Sequence, residues 1–329
     1  MKKYVTAIDV AKLAGVSQSS VSRVFGSGAN VSKENYERVM AAANELGYRP
    51  NAIARGLITQ KTNMIGIIMR DIKNPFYPEV LERFSQKLSK EGYHLIFISA
   101  KNEEVNEDEL HRLLDYKVDG VIITDATPTS DALQPFLTSE VPVVLFNRYI
   151  DTPSTNSVCC NNYQAGFEIG SYLTGRGYED LAIISGPMET STAMDRLKGL
   201  KDCIQTLSAT ITHEKQGNYT YEGGFQATMD LLEGGCPQVI ICGNDIMAFG
   251  AMDAIRQKGL KVPEDVSVIG FDNVSMASWP AYELTTWSQP MDQMVNAAVE
   301  LLVKEIEGNQ IEPARLSFDG QLIERKTVG

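Results

Sequence analysis

The sequence predicts an all-α helix-turn-helix headpiece followed by an α/β body of two doubly wound parallel-sheet lobes. Three observations predict it. The first fifty residues hold three short stretches with apolar residues at helical spacing, separated by turn residues. From Met64 onward, apolar β-branched runs alternate with amphipathic stretches, the pattern of βαβ units. That alternation restarts near residue 157, so the body has two similar halves, and 329 residues suffice for two or three domains.

Thr6 with Asp9 three residues later reads as a capping box, so a helix starts near Ala7, with Ile8, Ala11, Leu13 and Ala14 as its apolar face. Gly15 can take the left-handed conformation that stops it. Ser17 caps a second helix, with Val21 and Val24 inward and Gln18, Ser19, Ser22 and Arg23 outward. Ser32 caps a third, Lys33 to Leu46, with Tyr36, Val39, Met40, Ala43 and Leu46 on one side, and Gly47 ends it. The outer face of the second helix is slim, polar and partly basic, which suits a DNA major groove; an ordinary helical hairpin is the alternative. Asn51–Leu57 is too short to be stable as an isolated helix, and Gly56 weakens it further, so it is expected to order only when two copies pack on DNA.

In the first lobe, strands are expected at Met64–Met69, His94–Ser99, Asp119–Thr124 and Val141–Phe146, with helices at Phe76–Ser89, Asn106–Tyr116 and Ser130–Thr138. In the second, strands are expected at Ser157–Cys160, Leu181–Ser185, Val239–Cys242 and Val266–Gly270. The helices between them fall at Tyr163–Gly175, Thr192–Leu207, Tyr221–Glu233 and Ile246–Lys258. A last helix, Gln289–Glu307, and short strands at Arg315–Phe318 and Leu322–Glu324 close the chain.

Charge is divided along the chain. The total is −12, yet residues 1–62 carry nine Lys/Arg against four Asp/Glu, a net +5 that leaves −17 on the rest. A basic head on an acidic body places phosphate attraction at one end. No apolar run approaches membrane length and no basic-then-apolar leader opens the chain, so a cytoplasmic protein is expected. Five cysteines without a C-x-x-C pair and three scattered histidines give no metal spacing, so no metal or cofactor is expected. Cys159–Cys160 reads as part of a buried strand. There is no G-x-G-x-x-G after the Met64–Met69 strand, no G-x-x-x-x-G-K-[ST] and no G-x-S-x-G, so an enzyme with catalytic residues is not expected.

The run Thr6-x-x-Asp9-Val10-Ala11-x-x-Ala14-Gly15-Val16-Ser17-x-x-Ser20-Val21-Ser22-Arg23-Val24, then Leu46-Gly47-Tyr48-Arg49-Pro50-Asn51-x-x-Ala54-Arg55-x-Leu57, resembles the headpiece and hinge signature of the LacI/GalR family of transcriptional repressors. The resemblance covers almost the whole chain. It implies a headpiece at 1–48, a hinge helix and linker at 49–62, and an effector-binding and dimerisation core at 63–329. The core would resemble a periplasmic sugar-binding protein, with an N-lobe of about 63–160 plus 290–312 and a C-lobe of about 161–289 plus 313–329. It also implies a homodimer on near-palindromic double-stranded operator DNA, controlled by a small sugar-like effector between the lobes. Thr6, Ser17, Gln18, Ser19, Ser20, Ser22 and Arg23 would meet DNA together with Asn51, Ala54 and Leu57, the last matching the family's minor-groove wedge. No leucine-rich helix follows the last strand, in keeping with a dimer.

Ligands of open parallel sheets bind outside the carboxyl ends of strands. That rule points to Asn74-Pro75-Phe76-Tyr77, Asn147-Arg148, Asn244-Asp245 and Asp272-Asn273, of which Phe76, Tyr77, Asn147, Arg148, Asp245 and Asp272 are taken as effector contacts. The resemblance places Arg196 and Asp272 at the family's main effector-contacting positions, and Asn147, Tyr219, Asp245 and Gln289 at further ones. Asp245 could equally cap the next helix. Asn161-Asn162 stands where the family usually has an aspartate, and Arg148 follows Asn147, so an acidic ligand, a sugar acid or a sugar phosphate stays open beside a neutral sugar.

Overall fold

The computed structural model describes residues 5–25, 31–49, 61–100, 104–105, 107–125, 127–128, 130–150, 155–205, 207, 209–309 and 312–329. The hinge positions Asn51, Ala54 and Leu57 lie outside the described residues. The chain divides into two units, Met1–Asn63 and Met64–Gly329.

The head contains three helices, Ala7–Ala14, Gln18–Phe25 and Lys33–Leu46. The capping box forms: the Asp9 amide donates to Thr6 Oγ1, and the Thr6 amide and hydroxyl donate to Asp9 Oδ2 at 2.9 and 2.7 Å. Gly15 and Gly47 both stop their helices at φ 63°. Ser17 Oγ accepts from the Ser20 amide, capping the second helix as its sequence predicts. The core is small: Val10, Ala11, Ala14, Val21, Val24, Val39, Ala42 and Ala43, with Phe25 edge-on to Tyr48 at 5.6 Å. Three residues expected inside are exposed. Ile8, Leu13 and Tyr36 are 47–48 % accessible, because Val10 and Ala42 complete the packed faces instead. Helices packed around so small a core have room for only one narrow buried stripe each.

The body holds two six-stranded sheets. In the first, the strand order is Arg315–Phe318, Asn156–Cys160, Val143–Phe146, Gly120–Ile123, Met64–Met69, His94–Ser99, parallel throughout. In the second it is Gln321–Ile323, Thr285–Ser288, Ser267–Asp272, Val239–Cys242, Asp180–Ser185, Thr210–Gln216, parallel except for the first pair. Central strands are buried on both faces, which is why they read as continuous apolar runs such as Met64-Ile65-Gly66-Ile67-Ile68-Met69. In the second lobe, helices Asn162–Gly175 and Ser191–Ile204 pack closely because glycines on each face the other's backbone. A Cβ at Gly166 would lie 2.1 Å from the Arg196 carbonyl, and one at Gly199 would lie 1.9 Å from that of Tyr163.

The chain passes between lobes after Cys160, after Ser288 and after Phe318. Helix Met291–Ile306 returns to pack on the first lobe, against helix Phe76–Lys90 and the strands Val143–Phe146 and Asn156–Cys160. The strand Ser157–Cys160, read from the pattern as the first of the second lobe, belongs to the first sheet beside Val143–Phe146, and Arg315–Phe318, expected in the C-lobe, pairs in parallel with it at the sheet's edge. The last crossing therefore lies six residues later than the sequence suggests. Among the described residues, four strands escape sequence reading altogether, two of them the two-residue strands Glu104–Val105 and Thr127–Pro128, which pair in parallel as a small separate sheet. Thr210–Gln216 is a polar edge strand, and Thr285–Ser288 is a buried four-residue strand made mostly of hydroxyl side chains.

Candidate functional site

The carboxyl ends of both sheets converge on one cleft with about 360 Å³ of empty space, its mouth included. From the first lobe come Arg70, Asp71 and Asn74 after the Met64–Met69 strand, and Phe76 and Tyr77 at the start of the next helix. Asn147 and Arg148 follow the Val143–Phe146 strand. The second lobe supplies Thr192, Arg196, Tyr219, Asn244 and Asp272. Seven of the nine sequence-selected effector residues thus line one space: Phe76, Tyr77, Asn147, Arg148, Arg196, Tyr219 and Asp272.

Local structure fixes each side chain. Asn74 Oδ1 accepts from the Phe76 amide, a turn that starts the helix and sets Phe76 edge-on to Tyr77, ring centroids 5.2 Å apart. Asn147 sits at φ 67°, tolerable for asparagine, and donates through Nδ2 to the Tyr77 hydroxyl at 3.3 Å. Its Oδ1 is buried with no donor among the described residues. Burial, reinforced by Asp125, pushes the Tyr77 phenol far above its usual range, so it is a neutral O–H. Tyr219 shares a hydrogen bond with Thr192 at 3.1 Å. Its ring lies where a Cβ on Gly186 would be, 2.0 Å from Cζ, so this glycine is required.

Arg196 is held three ways. Nε donates to Asn162 Oδ1 at 2.8 Å, Nη1 donates to the Gly243 carbonyl at 2.5 Å, and Cζ lies 3.4 Å from the centroid of Phe271. Asn162, one of the two asparagines noted after the Asn156–Cys160 strand, thus aims the guanidinium.

Asp272 is 4 % exposed and accepts from Gln289 Nε2 at 2.7 Å. Burial pushes its carboxyl up to about 7, against the pull of Arg196 and the Gln289 hydrogen bond. Its φ of 122° is a strained conformation for a non-glycine residue.

Two expected contacts are placed otherwise. Asp245 is fully buried and absent from the cleft lining. Its oxygens accept from the Val274 amide at 2.9 Å and the Thr286 hydroxyl at 2.5 Å, bracing the loop that carries Asp272. Burial, with Asp272 nearby, raises its carboxyl well above the ordinary range. Helix capping there falls to Asn244, whose Oδ1 accepts from the Met247 amide. Gln289 is buried behind its bond to Asp272 and does not line the cleft. Asn74 and Asn244, at strand ends the rule points to, line it as well, and Arg70, Asp71 and Thr192 line it without any signal in the sequence reading. Asp125 was also missed, although it stands where the carboxyl-end rule points. It is 1 % exposed and accepts from the Arg70 and Asp71 amides, at 2.6 Å each.

Other contacts join the lobes. Glu79 Oε1 accepts from the Ser275 amide and hydroxyl at 2.9 and 2.6 Å. The Tyr149 hydroxyl donates to Asp195, its amide donates to Ser191 Oγ at 3.2 Å, and Arg315 stacks on its ring while pairing with Asp195 at 3.3 Å.

In the head, Thr6, Ser17, Gln18, Ser19, Ser22 and Arg23 are exposed and Ser20 is half-buried. Ser17 Oγ lies 2.7 Å from Ser19 Oγ and 2.9 Å from Ser20 Oγ, so the start of the second helix presents a small hydroxyl cluster. Among the described residues no group of side chains is arranged to hold a metal ion, and no helix is long and apolar enough to cross a membrane.

Comparison with known proteins agrees with this architecture. Residues 6–51 match the bacterial regulatory proteins of the lacI family, and residues 62–326 match the periplasmic binding proteins and sugar-binding domain of the LacI family. The chain is 33 % identical to the HTH-type transcriptional repressor PurR of Escherichia fergusonii, over 98 % of this chain and 96 % of that one. It is 34 % identical to catabolite control protein A of Priestia megaterium, over 95 % and 98 %. A crystal structure of the Lac repressor dimer bound to operator and the anti-inducer ONPF superposes with a TM-score of 0.89 at 28 % identity, covering 99 % of both chains. The chain belongs to the LacI family: it is a ligand-responsive, DNA-binding transcriptional regulator and not an enzyme.

Proposed function

We propose that this regulator represses transcription as a cytoplasmic homodimer on a near-palindromic operator and answers to a small sugar-like effector in the interlobe cleft. One observation carries the reading. The second helix of the head spends its apolar side, Val21 and Val24, on the core and leaves Gln18, Ser19, Ser22 and Arg23 in solvent. In this reading Gln18, Ser19 and Arg23 reach base edges, while Thr6, Ser17, Ser20 and Ser22 position the helix against phosphates. From the sequence alone, Asn51, Ala54 and Leu57 supply the minor-groove contact, with Leu57 as the wedge.

The effector contacts are Phe76, Tyr77, Asn147, Arg148, Arg196, Tyr219 and Asp272, with Gln289 and Asp245 holding Asp272 in place. Planar amide, guanidinium and carboxylate groups beside aromatic rings suit a polyhydroxylated ligand. Ligand acts by binding one lobe arrangement better than another.

The test is fluorescence anisotropy with a DNA site selected from random duplexes. Gln18→Ala should cost about 1–3 kcal/mol at the site and relax its sequence preference. Arg23→Ala should weaken binding while leaving the body's thermal transition in place. Parent-like site preference in both variants would sink the recognition-helix assignment.

A further inference from the structure

Resting on the reading of the cleft as the effector site, we propose that the effector is a polyhydroxylated anion whose carboxylate or phosphate group seats on Arg148. Arg148 is 4 % exposed and lines the cleft. None of the ion pairs among the described residues includes it, and none of their hydrogen bonds is made by its guanidinium. The carboxylates in and beside the cleft accept hydrogen bonds from other groups. Asp125 takes the Arg70 and Asp71 amides at 2.6 Å each. Asp71 Oδ1 takes the Lys73 and Asn74 amides. Asp272 takes Gln289, and Glu79 takes Ser275. A buried cation without a counter-ion is costly unless something brings the opposite charge.

Asn147, the preceding residue, adds an independent requirement. Its Nδ2 is fixed on the Tyr77 hydroxyl, so its Oδ1 is held as a buried acceptor with no donor. An acceptor needs a hydroxyl, and a guanidinium needs an anion with two oxygens in its plane. One molecule meets both demands when it carries hydroxyls next to a carboxylate or phosphate. A neutral sugar answers Asn147 and leaves the Arg148 guanidinium without a directly bonded anion.

The experiment follows thermal unfolding of the full chain at constant ionic strength. The probes are inorganic phosphate, D-gluconate, D-glucuronate, D-glucose 6-phosphate and D-glucose, each against chloride, on the parent and on Arg148→Gln, Arg148→Lys and Asp272→Asn. A bound ligand raises the transition in proportion to saturation. At least one anionic probe should raise the parent's transition saturably and more than D-glucose does. The concentration needed should rise roughly ten- to hundredfold in Arg148→Gln, the loss expected for one charged hydrogen-bonding partner. Arg148→Lys, which keeps the charge without the planar fork, should recover part of it. In chloride, Arg148→Gln should unfold no earlier than the parent, which also reports that it folds. The sugar acids against the phosphates tell which anion is preferred. The proposal is overturned if no anion exceeds chloride, if D-glucose stabilises as well as its acids, or if the anion effect survives in Arg148→Gln. A neutral sugar whose effect is lost only in Asp272→Asn would overturn the anion and keep the cleft. A ligand indifferent to every variant binds elsewhere, and the cleft reading itself falls.

Discussion

Replacing Asp272 by asparagine should raise the stability of the body at neutral pH and flatten its pH dependence. The folded carboxyl is pushed from 3.8 to about 7, chiefly by burial. Between those values the folded protein holds a proton that the unfolded chain has released, so stability falls as pH rises through the window and levels off above it. Each pH unit is worth about 1.4 kcal/mol, so the full window is worth at most about 4 kcal/mol. Asp245 shares the direction: burial first, then the nearby Asp272, raises its carboxyl well above the ordinary range. The amide keeps an acceptor for Gln289 at the same place and removes the titration. Urea unfolding at pH steps from 4 to 8, followed by tryptophan fluorescence, reads the correct lobe, since the chain's two tryptophans, Trp279 and Trp287, both lie there. The difference between Asp272→Asn and the parent should grow by roughly 2–4 kcal/mol from pH 4 to pH 8. Profiles that stay parallel across that range would mean that Asp272 is ionised throughout, and the account of its burial would be wrong.

Gly186→Ala should push the Tyr219 ring out of the cleft, since the new Cβ would lie 2.0 Å from Cζ. A cost of about 1–3 kcal/mol and weaker effector binding are expected, and unchanged effector affinity by calorimetry would refute it. Tyr149→Phe removes the hydroxyl that donates to Asp195 at 3.0 and 3.1 Å and should cost about 1 kcal/mol in urea unfolding, more if the interlobe contact is cooperative. A neutral result would show that this contact is idle. Leu57→Ala, argued from sequence alone, should weaken operator binding and leave effector affinity intact, and equal operator affinity would discard the wedge.

The body was legible wherever one physical rule dominated. Central parallel strands announce themselves because both faces are buried, and the carboxyl-end rule then finds Tyr77, Asn147 and Asp272 without reference to any relative. What failed had a local cause. Thr285–Ser288 is buried, yet its threonines and serine carry no apolar run, so its strand character comes from its neighbours in the sheet. Arg315–Phe318 was recognised as a strand and assigned to the wrong sheet, because a strand's own pattern does not encode its partner. Asp245 looked like a ligand contact because the residue type and the strand-end position are right. Only the structure shows both oxygens turned inward, onto Val274 and Thr286. Ile8 and Leu13 were placed inside by periodicity, but an eight-residue helix has only one narrow stripe to bury.

The same braces bear on how the protein switches. The Asp272 loop is over-determined. Asp272 at φ 122° and Asn273 at φ 56° are held by Gln289 on one, Arg325 and Thr286 on the other, and Asp245 on the next amide. Strained backbone persists only where its surroundings enforce it. A ligand arriving at Asp272 therefore meets a rigid second lobe. Arg196 is equally fixed by Asn162, Gly243 and Phe271. What remains adjustable is the relation between lobes, whose polar contacts among the described residues include Glu79 with Ser275, Tyr149 with Ser191 and Asp195, and Arg315 with Asp195. Allosteric couplings are typically about 1–3 kcal/mol. One or two such hydrogen bonds, made in one lobe arrangement and absent in another, are of that size. The switch therefore needs no rearrangement of the binding residues, and substitutions at Glu79, Tyr149 or Arg315 should shift the response to effector further than they shift the affinity for it.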